Sequence, residues 1–443
     1  MGYVSNTADE RKAMLDAIGV GSVADLFADI PEELRAKPLA IPEGKSEMEV
    51  LRHLHRLSEK NATHLTLFLG GGFYDHYVPA AADALLRRGE FYTAYTPYQP
   101  EAAQGTLQAI YEYQTSICRL TGMEVANASL YDGGTALYEA AMMALRITKR
   151  NKVVLDGGVN PIYRNMLYTY TSNLKIDFAE VEPRHGVAQR DRIAEQLDDE
   201  TAAVIIQNPN FFGVVDDLTD VVKTAHEAGA LAILSCYPIS LGLLKTPGEM
   251  DADIAVGEGQ SLGLPLSFGG PYLGFMATKK KYIRQMPGRI VGAAADAKGR
   301  RGFVLTVQAR EQHIRRERAT SNICTNEALC ALSASIYLSL LGKSGLREVA
   351  HLCMDKAEYA KERLDIIPGV TAYRDAETFN EFSCELPIDA GEAVGKLIEK
   401  GFAAGFPLGR YYPGMENHLL VAVTEKRTKE EIDAFAAALE GVL

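Results

Sequence analysis

A glycine-rich loop between two apolar runs is the stretch of this chain whose residue types most suggest chemistry. It reads "VGEGQSLGLPLSFGGPYLGF" over residues 256–275 and ends in a Gly-Gly-Pro turn. Glycine loops that follow strands bring backbone amides close to anionic cofactors. The spacing in "GEGQSLG" is GxGxxxG rather than GxGxxG, and Pro265 comes before any helical pattern. The loop therefore disfavours a nicotinamide dinucleotide site.

A second glycine motif lies at the start of a predicted helix. The segment "SLYDGGTALYEAAMMALR" places Gly133, Gly134 and Thr135 at the amino end of that helix. Free amides at such an end bind phosphate, and ordinary capping by the preceding acid gives the same pattern. Both interpretations stay open. A third motif, "FLGGGFYDHY", has three glycines but no GK[ST], which excludes a P-loop.

The elements around these motifs alternate between helix and strand. Short apolar runs of strand length occur at residues 152–157, 201–209, 229–237, 252–259 and 272–278. Helical patterns separate several of them, and this alternation predicts a mostly parallel sheet covered on both faces. We predict an N-terminal helical arm over residues 1–60, a large α/β domain over 61–325 and a small C-terminal α/β domain over 326–443.

This layout is typical of pyridoxal phosphate (PLP)-dependent transferases of fold type I, the aspartate-aminotransferase architecture. Such enzymes need a lysine for the imine and an acid beside the pyridine nitrogen. Gln260 stands where the lysine is expected, and a glutamine amide cannot form an imine. Leu234, Ser235 and Cys236 stand where the acid is expected. The sequence predicts the fold of a PLP enzyme in a chain that does not carry the cofactor covalently.

Composition narrows the class of protein further. The net charge of −12 over 443 residues disfavours nucleic acid as a partner. We found no apolar run near the ~20 residues of a membrane span and no signal peptide, so we expect a cytoplasmic protein without membrane contact. The six cysteines form no CxxC and there is no HExxH, so neither a disulfide framework nor a metal site is predicted.

Several long and unusual segments carry a resemblance to a known family. They include "GGGFYDHYVPAA", "EFYTAYTPYQPEAAQGTLQAIYEYQT", "QAREQHIRRERATSNICTNEAL" and "LLVAVTEKRTKEEID", together with the loop described first. Over essentially its whole length the chain resembles the glycine decarboxylase P-protein of the glycine cleavage system, in its two-subunit form, and there subunit 1. The family's catalytic subunit has a His-Lys pair before a proline and a "GGP" turn. Alignment of the turns places Gln260 at the lysine position.

The resemblance implies an activity, a cofactor and partners. It implies glycine dehydrogenase (aminomethyl-transferring) activity, in which glycine is decarboxylated with PLP and its aminomethyl group passes to the lipoyl arm of H-protein. The PLP lysine and the aspartate at the pyridine nitrogen then belong to subunit 2, and the assembly is α2β2. Glycine, subunit 2 and lipoylated H-protein are the implied partners.

Two segments are candidates for what this chain gives to a shared active site. We expect the first, residues 92–99, to line the glycine pocket or donate hydrogen bonds through Tyr95, Tyr98 and Gln99, and interface packing explains it equally well. We expect the second, residues 318–325, to reach the partner's phosphate through Thr320, Ser321 and Asn322.

The second segment lies in a basic region. Arg310 or Arg318 would attract a carboxylate or phosphate there, although intersubunit salt bridges are the slightly favoured interpretation. Cys324 is either a redox-sensitive or, more simply, a buried thiol.

Two other hypotheses remain. The chain is a stand-alone PLP enzyme that uses another lysine, the nearest being Lys245 and residues 279–281, or it is a structural or regulatory pseudoenzyme that stabilises its partner without touching substrate.

Overall fold

The computed structural model describes residues 6–35, 37 and 40–443, and it divides into two units. Unit 1 is Met1–Thr63 and unit 2 is His64–Leu443. The large and small domains predicted on either side of residue 325 both lie in unit 2, and the boundary between them stays a prediction.

The described residues of unit 1 form two α-helices, α1 (Ala8–Ile18) and α2 (Glu47–Ser58). Each begins at a capping box, in which Ser or Thr pairs with a glutamate three residues later, Thr7 with Glu10 and Ser46 with Glu49. None of the residues that the structure describes in this unit is buried. The apolar side chains of Met48, Leu51 and Leu54 are therefore exposed along one side of α2.

Unit 2 is built on a seven-stranded sheet and a smaller four-stranded one. Its helices are α3 (Ala80–Leu86), α4 (Gly89–Tyr92), α5 (Gln104–Thr121), α6 (Gly133–Thr148), α7 (Pro161–Thr171), α8 (Arg190–Gln196), α9 (Thr219–Glu227), α10 (Gln312–Arg315), α11 (Ala328–Asp365), α12 (Ala390–Glu399) and α13 (Lys429–Glu440). Its strands are β1 (Thr66–Leu67), β2 (Val125–Ala126), β3 (Lys152–Asp156), β4 (Asp177–Val181), β5 (Thr201–Asn208), β6 (Leu231–Cys236), β7 (Ile254–Glu258), β8 (Gly274–Thr278), β9 (Ile290–Ala295), β10 (Arg301–Thr306), β11 (Thr371–Ala372), β12 (Glu381–Glu385), β13 (Phe402–Ala403), β14 (Phe406–Pro407) and β15 (His418–Ala422).

The seven-stranded sheet has the order β2-β8-β7-β6-β5-β3-β4. Strands β3 to β7 pair in parallel, and β8 runs antiparallel to both of its neighbours. Apolar residues of α6 and α7 form one core with these strands, while α8 and α9 form another. The predicted strands are confirmed, because each apolar run contains one of β3, β5, β6, β7 or β8.

The smaller sheet, of order β11-β12-β15-β14, is antiparallel and packs against α11, α12 and α13. Strand β1 pairs in parallel with β13, so the start of unit 2 lies beside residues near its end. Helix α11 breaks at Gly342, where φ is 60° and ψ is −172°. Glycine is favoured there because side chains disfavour that conformation.

Helix α11 is the one helix in the described part of the chain that is long and apolar enough to cross a membrane. Core helices pass the same test, and Ala331, Ala334 and Ala350 on this helix are buried in the core of unit 2. The expectation that the chain makes no membrane contact stays a prediction.

Candidate functional site

The carboxyl ends of β5, β6 and β7 meet at one edge of the large sheet, where ligands of parallel α/β sheets bind. Ser235 and Cys236 end β6, and Gln260 follows β7 by two residues. A small cavity beside the ends of β6 and β7 measures about 30 Å³. It is lined by Gly72, Tyr74, Asn160, Tyr163, Gln207, Pro209, Ser235, Cys236, Tyr237 and Glu258. This volume holds about one or two water molecules.

The side chain of Gln260 is fixed by hydrogen bonds to the backbone. Its Oε1 accepts a hydrogen bond from Tyr74 N at 3.0 Å, and its Nε2 donates to Tyr74 O at 3.2 Å and to Leu264 O at 2.8 Å. The residue is only 1% exposed. A buried amide with its oxygen and both hydrogens paired is a structural crosslink.

Glu258 at the end of β7 reaches the amino end of α6. One carboxylate oxygen accepts a hydrogen bond from Gly133 N at 2.9 Å, and the other accepts from Gln260 N at 2.9 Å and Leu273 N at 3.0 Å. Burial raises the pKa of this carboxyl to about 7, against the lowering effect of the Leu273 and Gly133 amides. The amino end of α6, where the sequence suggested phosphate binding, is thus hydrogen-bonded to a carboxylate of the same chain.

The residues of the predicted phosphate site, Gly133, Gly134 and Thr135, all lie within the first turn of α6. Asp132 caps the helix, since its Oδ1 accepts a hydrogen bond from Thr135 N at 2.6 Å. A Cβ at Gly134 would lie 2.4 Å from the sulfur of Met166, so this position tolerates only glycine without repacking. The capping interpretation therefore describes Thr135, and Glu258 rather than a free ligand pairs with Gly133.

A glycine-rich segment, residues 68–77, crosses this edge of the sheet. Gly71 N donates to the carboxylate of Glu381 at 2.6 Å, and Tyr74 Oη donates to its other oxygen at 2.6 Å. Asn160 Nδ2 donates to Gly71 O at 2.8 Å. Gly72 has a φ of 107°, and a Cβ there would lie 2.8 Å from Asn160 Nδ2. The segment is thus fastened to the smaller sheet through Glu381, which begins β12, and to the amino end of α7 through Asn160.

His76, in the same segment, belongs to a buried hydrogen-bonded cluster. Its Nδ1 lies 2.6 Å from Glu425 Oε2, and its Nε2 bonds to the hydroxyl of Tyr237. Cys353 Sγ also approaches Glu425, at 3.5 Å. These residue types can bind a metal ion, but both ring nitrogens of His76 already have hydrogen-bond partners. The cluster fastens this segment to α11 and to the end of β15.

The predicted interface residues of the first segment are exposed. Tyr95 and Tyr98 are 70% and 68% exposed, their ring centroids are 6.4 Å apart, and Gln99 is also exposed. Tyr95 borders a shallow apolar groove together with Phe91 and Leu329. None of the three predicted residues lines the cavity beside Gln260.

The second predicted segment packs beside α6. Ser321 Oγ donates to Glu139 Oε1 at 2.6 Å, whereas Asn322 is exposed and Thr320 is half-buried. Thr320 N donates to Arg310 O at 3.0 Å. The structure brings this segment close to α6 and leaves mainly Asn322 available to another molecule.

The basic residues of this region differ from one another. Arg310 is buried, and its Nη2 donates to Gly288 O at 2.9 Å, so its guanidinium is hydrogen-bonded to the backbone of the same chain. Burial lowers its pKa. Arg318 is exposed, with its nearest acidic atom on Glu317 at 3.8 Å. Cys324 is half-buried, and its backbone N donates to Tyr131 Oη at 3.2 Å.

Comparison with known proteins decides the family. A family model described as "Glycine cleavage system P-protein" matches residues 1–439. The chain is 61% identical to "Probable glycine dehydrogenase (decarboxylating) subunit 1" of Geotalea uraniireducens and 56% identical to a protein of the same name from Nitratidesulfovibrio vulgaris. Each match covers 443 residues and 100% of both chains.

The chain belongs to the glycine cleavage system P-protein family.

Solved structures agree with this P-protein assignment. A crystal structure of glycine decarboxylase (P-protein) of the glycine cleavage system, in inhibitor-bound form, has a TM-score of 0.92 and 46% identity, and the match covers 100% of both chains. A Burkholderia pseudomallei sphingosine-1-phosphate lyase has a TM-score of 0.66 at 14% identity, with 94% of each chain covered, and shows the fold alone. The predicted type I fold of PLP-dependent enzymes is confirmed.

The small cavity beside the ends of β6 and β7 does not fit PLP. Cofactor pockets typically measure about 300–1,000 Å³, roughly ten times or more the volume found beside Gln260. No lysine is among the described residues that line this cavity. Lys279 Nζ instead bonds to Asp251 at 2.8 Å beyond the opposite end of β7, and Lys245 Nζ bonds to Asp217 at 3.1 Å. For the hypothesis of a stand-alone PLP enzyme, we find no lysine among the described residues that line this cavity, and the hypothesis stays a prediction.

The residues that sequence reasoning missed are those that fill this interior. The hydrogen bonds of Glu258 with Gly133, of Tyr74 with Glu381 and of His76 with Glu425 were not predicted, although Glu258 lies inside the glycine-rich loop at residues 256–275. An acidic residue that ends an otherwise apolar strand run was the available signal for Glu258. For Glu381 and His76 no local pattern gives a signal, since their partners lie on other elements.

Proposed function

We propose that this chain is the subunit of a glycine decarboxylase P-protein that does not bind PLP. Together with a second subunit it decarboxylates glycine and passes the aminomethyl group to the lipoyl arm of H-protein. PLP is held by the lysine of subunit 2, in an α2β2 assembly located in the cytoplasm. The full-length likeness to proteins named subunit 1 supports the activity and the partner.

One observation carries the assignment of the cofactor to the other subunit. In a chain of a PLP-dependent family, the place expected for the cofactor is a cavity of about 30 Å³, and the amide of Gln260 is paired with the backbone of Tyr74, which lines that cavity. A chain that binds PLP needs both the lysine and the volume. The neighbouring subunit is then the one that supplies the chemistry.

The proposed contribution of this chain is made across the subunit interface. Tyr95 and Tyr98 carry hydroxyl groups on exposed rings, and Gln99 adds an exposed amide. We assign them to the glycine pocket of the partner. Asn322, with Thr320 and Ser321, is assigned to the partner's phosphate, and its exposure supports this role.

The same filled interior also suits a second candidate, a structural or regulatory subunit that only stabilises its partner. The two functions differ in what the exposed tyrosines do. If this chain only stabilises, subunit 2 that has been kept folded by other means retains full activity. If it contributes to the site, activity needs both chains.

The test is glycine–bicarbonate exchange with lipoylated H-protein, measured for subunit 2 alone, this chain alone and the two co-expressed. We expect exchange only from the pair, and no aldimine colour or borohydride-reducible lysine adduct in this chain alone. Full activity of subunit 2 alone supports the stabilising function. A reducible adduct in this chain contradicts the proposal.

A further inference from the structure

We propose that a cleft between the end of β4 and the smaller sheet of unit 2 binds an aliphatic polyamine, a chain of ammonium groups joined by methylene groups. The cleft measures about 1090 Å³, and none of the described residues that line it lines the cavity near Gln260. Ligand pockets typically measure about 300–1,000 Å³, so the cleft has room for such a molecule. The inference concerns a second site and does not depend on the proposed activity.

The first step is that the permanently charged cations of the cleft are already paired. Arg164 Nη1 bonds to the carboxylate of Glu180, and Arg374 Nε lies 3.0 Å from Asp365 Oδ2. Among the described residues that line the cleft, these two arginines are the only lysines or arginines. An anionic ligand would compete with carboxylates that already hold both guanidinium groups, so the cleft disfavours anions.

The second step is an excess of carboxylates. Glu182, Asp375 and Glu385 also line the cleft, and in the described part of the chain none of them pairs with a lysine or arginine. Asp375 Oδ2 lies 2.7 Å from His185 Nδ1, and Glu385 accepts a hydrogen bond from the neutral amide of Asn417 at 3.0 Å. A cleft lined by one sign of charge concentrates ligands of the opposite sign. Several carboxylates therefore favour a ligand with several positive charges.

The third step is the aromatic part of the lining, which comprises Phe212, Tyr373, Tyr411 and Tyr412. The guanidinium carbon of Arg164 lies 5.4 Å from the ring centroid of Tyr412, so a cation already stacks on one of these rings. No lysine or arginine that the structure describes lies over the half-buried ring of Tyr373. An ammonium group or a methylene chain packs favourably on such a ring, which selects an organic cation over a hydrated metal ion.

The fourth step is a pair of polar groups without partners. His418 lines the cleft, burial lowers the pKa of its ring, and its Nδ1 has no hydrogen-bond partner among the described residues. The carboxylate of Asp156 is 0% exposed and has no side-chain partner in the described part of the chain. It lies behind the lining, since the next residue, Gly157, accepts a hydrogen bond from Tyr412 Oη at 3.0 Å. Unpaired buried polar groups cost free energy, and a nearby ammonium group reduces that cost.

The test is calorimetric titration of the full chain with spermidine at pH 8 and constant ionic strength. We expect a saturable isotherm with one molecule bound per chain and a Kd below about 1 mM. Magnesium chloride at the same ionic strength should not displace spermidine, because Mg²⁺ keeps its water shell and has no apolar body. Absence of saturable binding contradicts the proposal, as does displacement by Mg²⁺, which indicates unspecific screening.

Tyr373→Leu and Glu385→Gln locate the site. We expect each variant to raise the Kd for spermidine at least about fivefold, equivalent to ~1 kcal/mol. Tyr373→Phe keeps the ring and should stay within about twofold of wild type. Glu195→Gln, an exposed glutamate on α8 that does not line the cleft, is the matched control for Glu385→Gln and should leave the Kd unchanged.

The variants also decide against the proposal. An unchanged Kd in Glu385→Gln contradicts it, and so does an equal loss of affinity in Glu195→Gln. Glu385 is exposed, so its variant keeps the fold and decides the question even where Tyr373→Leu is unfolded. A folded Tyr373→Leu that binds spermidine like wild type contradicts the aromatic contact and with it the site.

Discussion

The side-chain amide of Gln260 is hydrogen-bonded to both backbone groups of Tyr74, which donates its N–H at 3.0 Å and accepts at its carbonyl at 3.2 Å. This pairing resembles one rung of a β-ladder made by a side chain. It fastens the glycine-rich segment at residues 68–77 to the loop after β7. The residue that stands at the expected lysine position thus has a definite structural task.

Gln260→Ala tests that task. We expect the free energy of unfolding to fall by about 2–4 kcal/mol, because the variant leaves buried groups of Tyr74 and Leu264 unpaired and adds a cavity. Urea denaturation of the full chain measures the change. Gln108→Ala, which removes an exposed glutamine paired with Glu112, should stay within about 0.5 kcal/mol of wild type. Equal effects in both variants contradict the crosslink.

Gln260→Lys asks whether the missing lysine is all that separates this chain from a PLP enzyme. We expect no aldimine absorption after incubation with PLP, because the 30 Å³ cavity has no room for the ring. The ammonium group also becomes buried without a carboxylate freed to pair with it, which destabilises the fold. Visible spectra and borohydride reduction measure the adduct, and a stoichiometric adduct contradicts the expectation.

Tyr95→Phe separates catalysis from packing. If its hydroxyl hydrogen-bonds in the shared site, exchange activity of the intact complex should fall by about ten- to a hundredfold, equivalent to ~1.4–2.7 kcal/mol. The free energy of unfolding of this chain should not change, because the ring is exposed. Tyr170→Phe, on α7, is the matched exposed tyrosine and should leave activity unchanged. Unchanged kinetics in Tyr95→Phe refute its place in the site.

Stability should fall as the pH rises from about 4.5 to 7. Burial raises the pKa of Glu381 to about 7, from about 4.3 in an unfolded chain, so the folded form binds more protons across this interval. The stability from this group is complete below the unfolded pKa and is lost as the pH passes the folded one. Burial raises the pKa of Asp156 to about 7 as well, which adds in the same direction.

Glu381→Gln measures this dependence. The decline in the free energy of unfolding between pH 5 and 7 should become smaller by about 1–3 kcal/mol, since each pH unit contributes at most ~1.4 kcal/mol for one proton. Glu195→Gln, an exposed glutamate on α8, should leave the decline as it is in wild type. A decline identical to wild type in Glu381→Gln contradicts the prediction.

Phe268 should matter for association and not for folding. It is 85% exposed, with a φ of 51°, a left-handed conformation that side chains disfavour. We expect Phe268→Ala to raise the Kd for subunit 2 at least about tenfold while the free energy of unfolding stays within about 0.5 kcal/mol. Ile366→Ala, an exposed residue at the end of α11, is the control for apolar area, and equal effects in the two variants contradict a specific role.

The sequence predicts the sheet well because local patterns encode it. The apolar runs that became β5, β6 and β7 are continuous and bounded by glycine or polar residues, which is the pattern of strands buried on both faces. The position of Gln260 follows from this, since a residue just after β7 must lie at the carboxyl edge of the sheet.

The buried hydrogen bonds near that edge could not be predicted, because the residues that form them are distant from each other in the chain. Glu258 pairs with Gly133 across 125 residues, and Gly71 pairs with Glu381 across 310. No periodicity connects such positions, and one-to-one pairing of buried polar groups depends on the finished packing. The tyrosines at 95 and 98 remain predicted site residues for the complementary reason that their proposed partner is another chain.

The pairing of β1 with β13 determines when β1 can join the fold during translation. Thr66 lies opposite Phe402, so the strand that leads into the glycine-rich segment has no partner until almost the whole chain has been synthesised. At roughly 5–20 residues per second, translation separates the two by roughly 20–70 seconds. The strands of the large sheet, from β2 to β8, are all made within that interval, and the edge of the sheet stays uncovered after Thr278 has been added. This interior therefore closes late in synthesis. Before that, the nascent chain passes through a stage in which the carboxyl edge of the large sheet is uncovered.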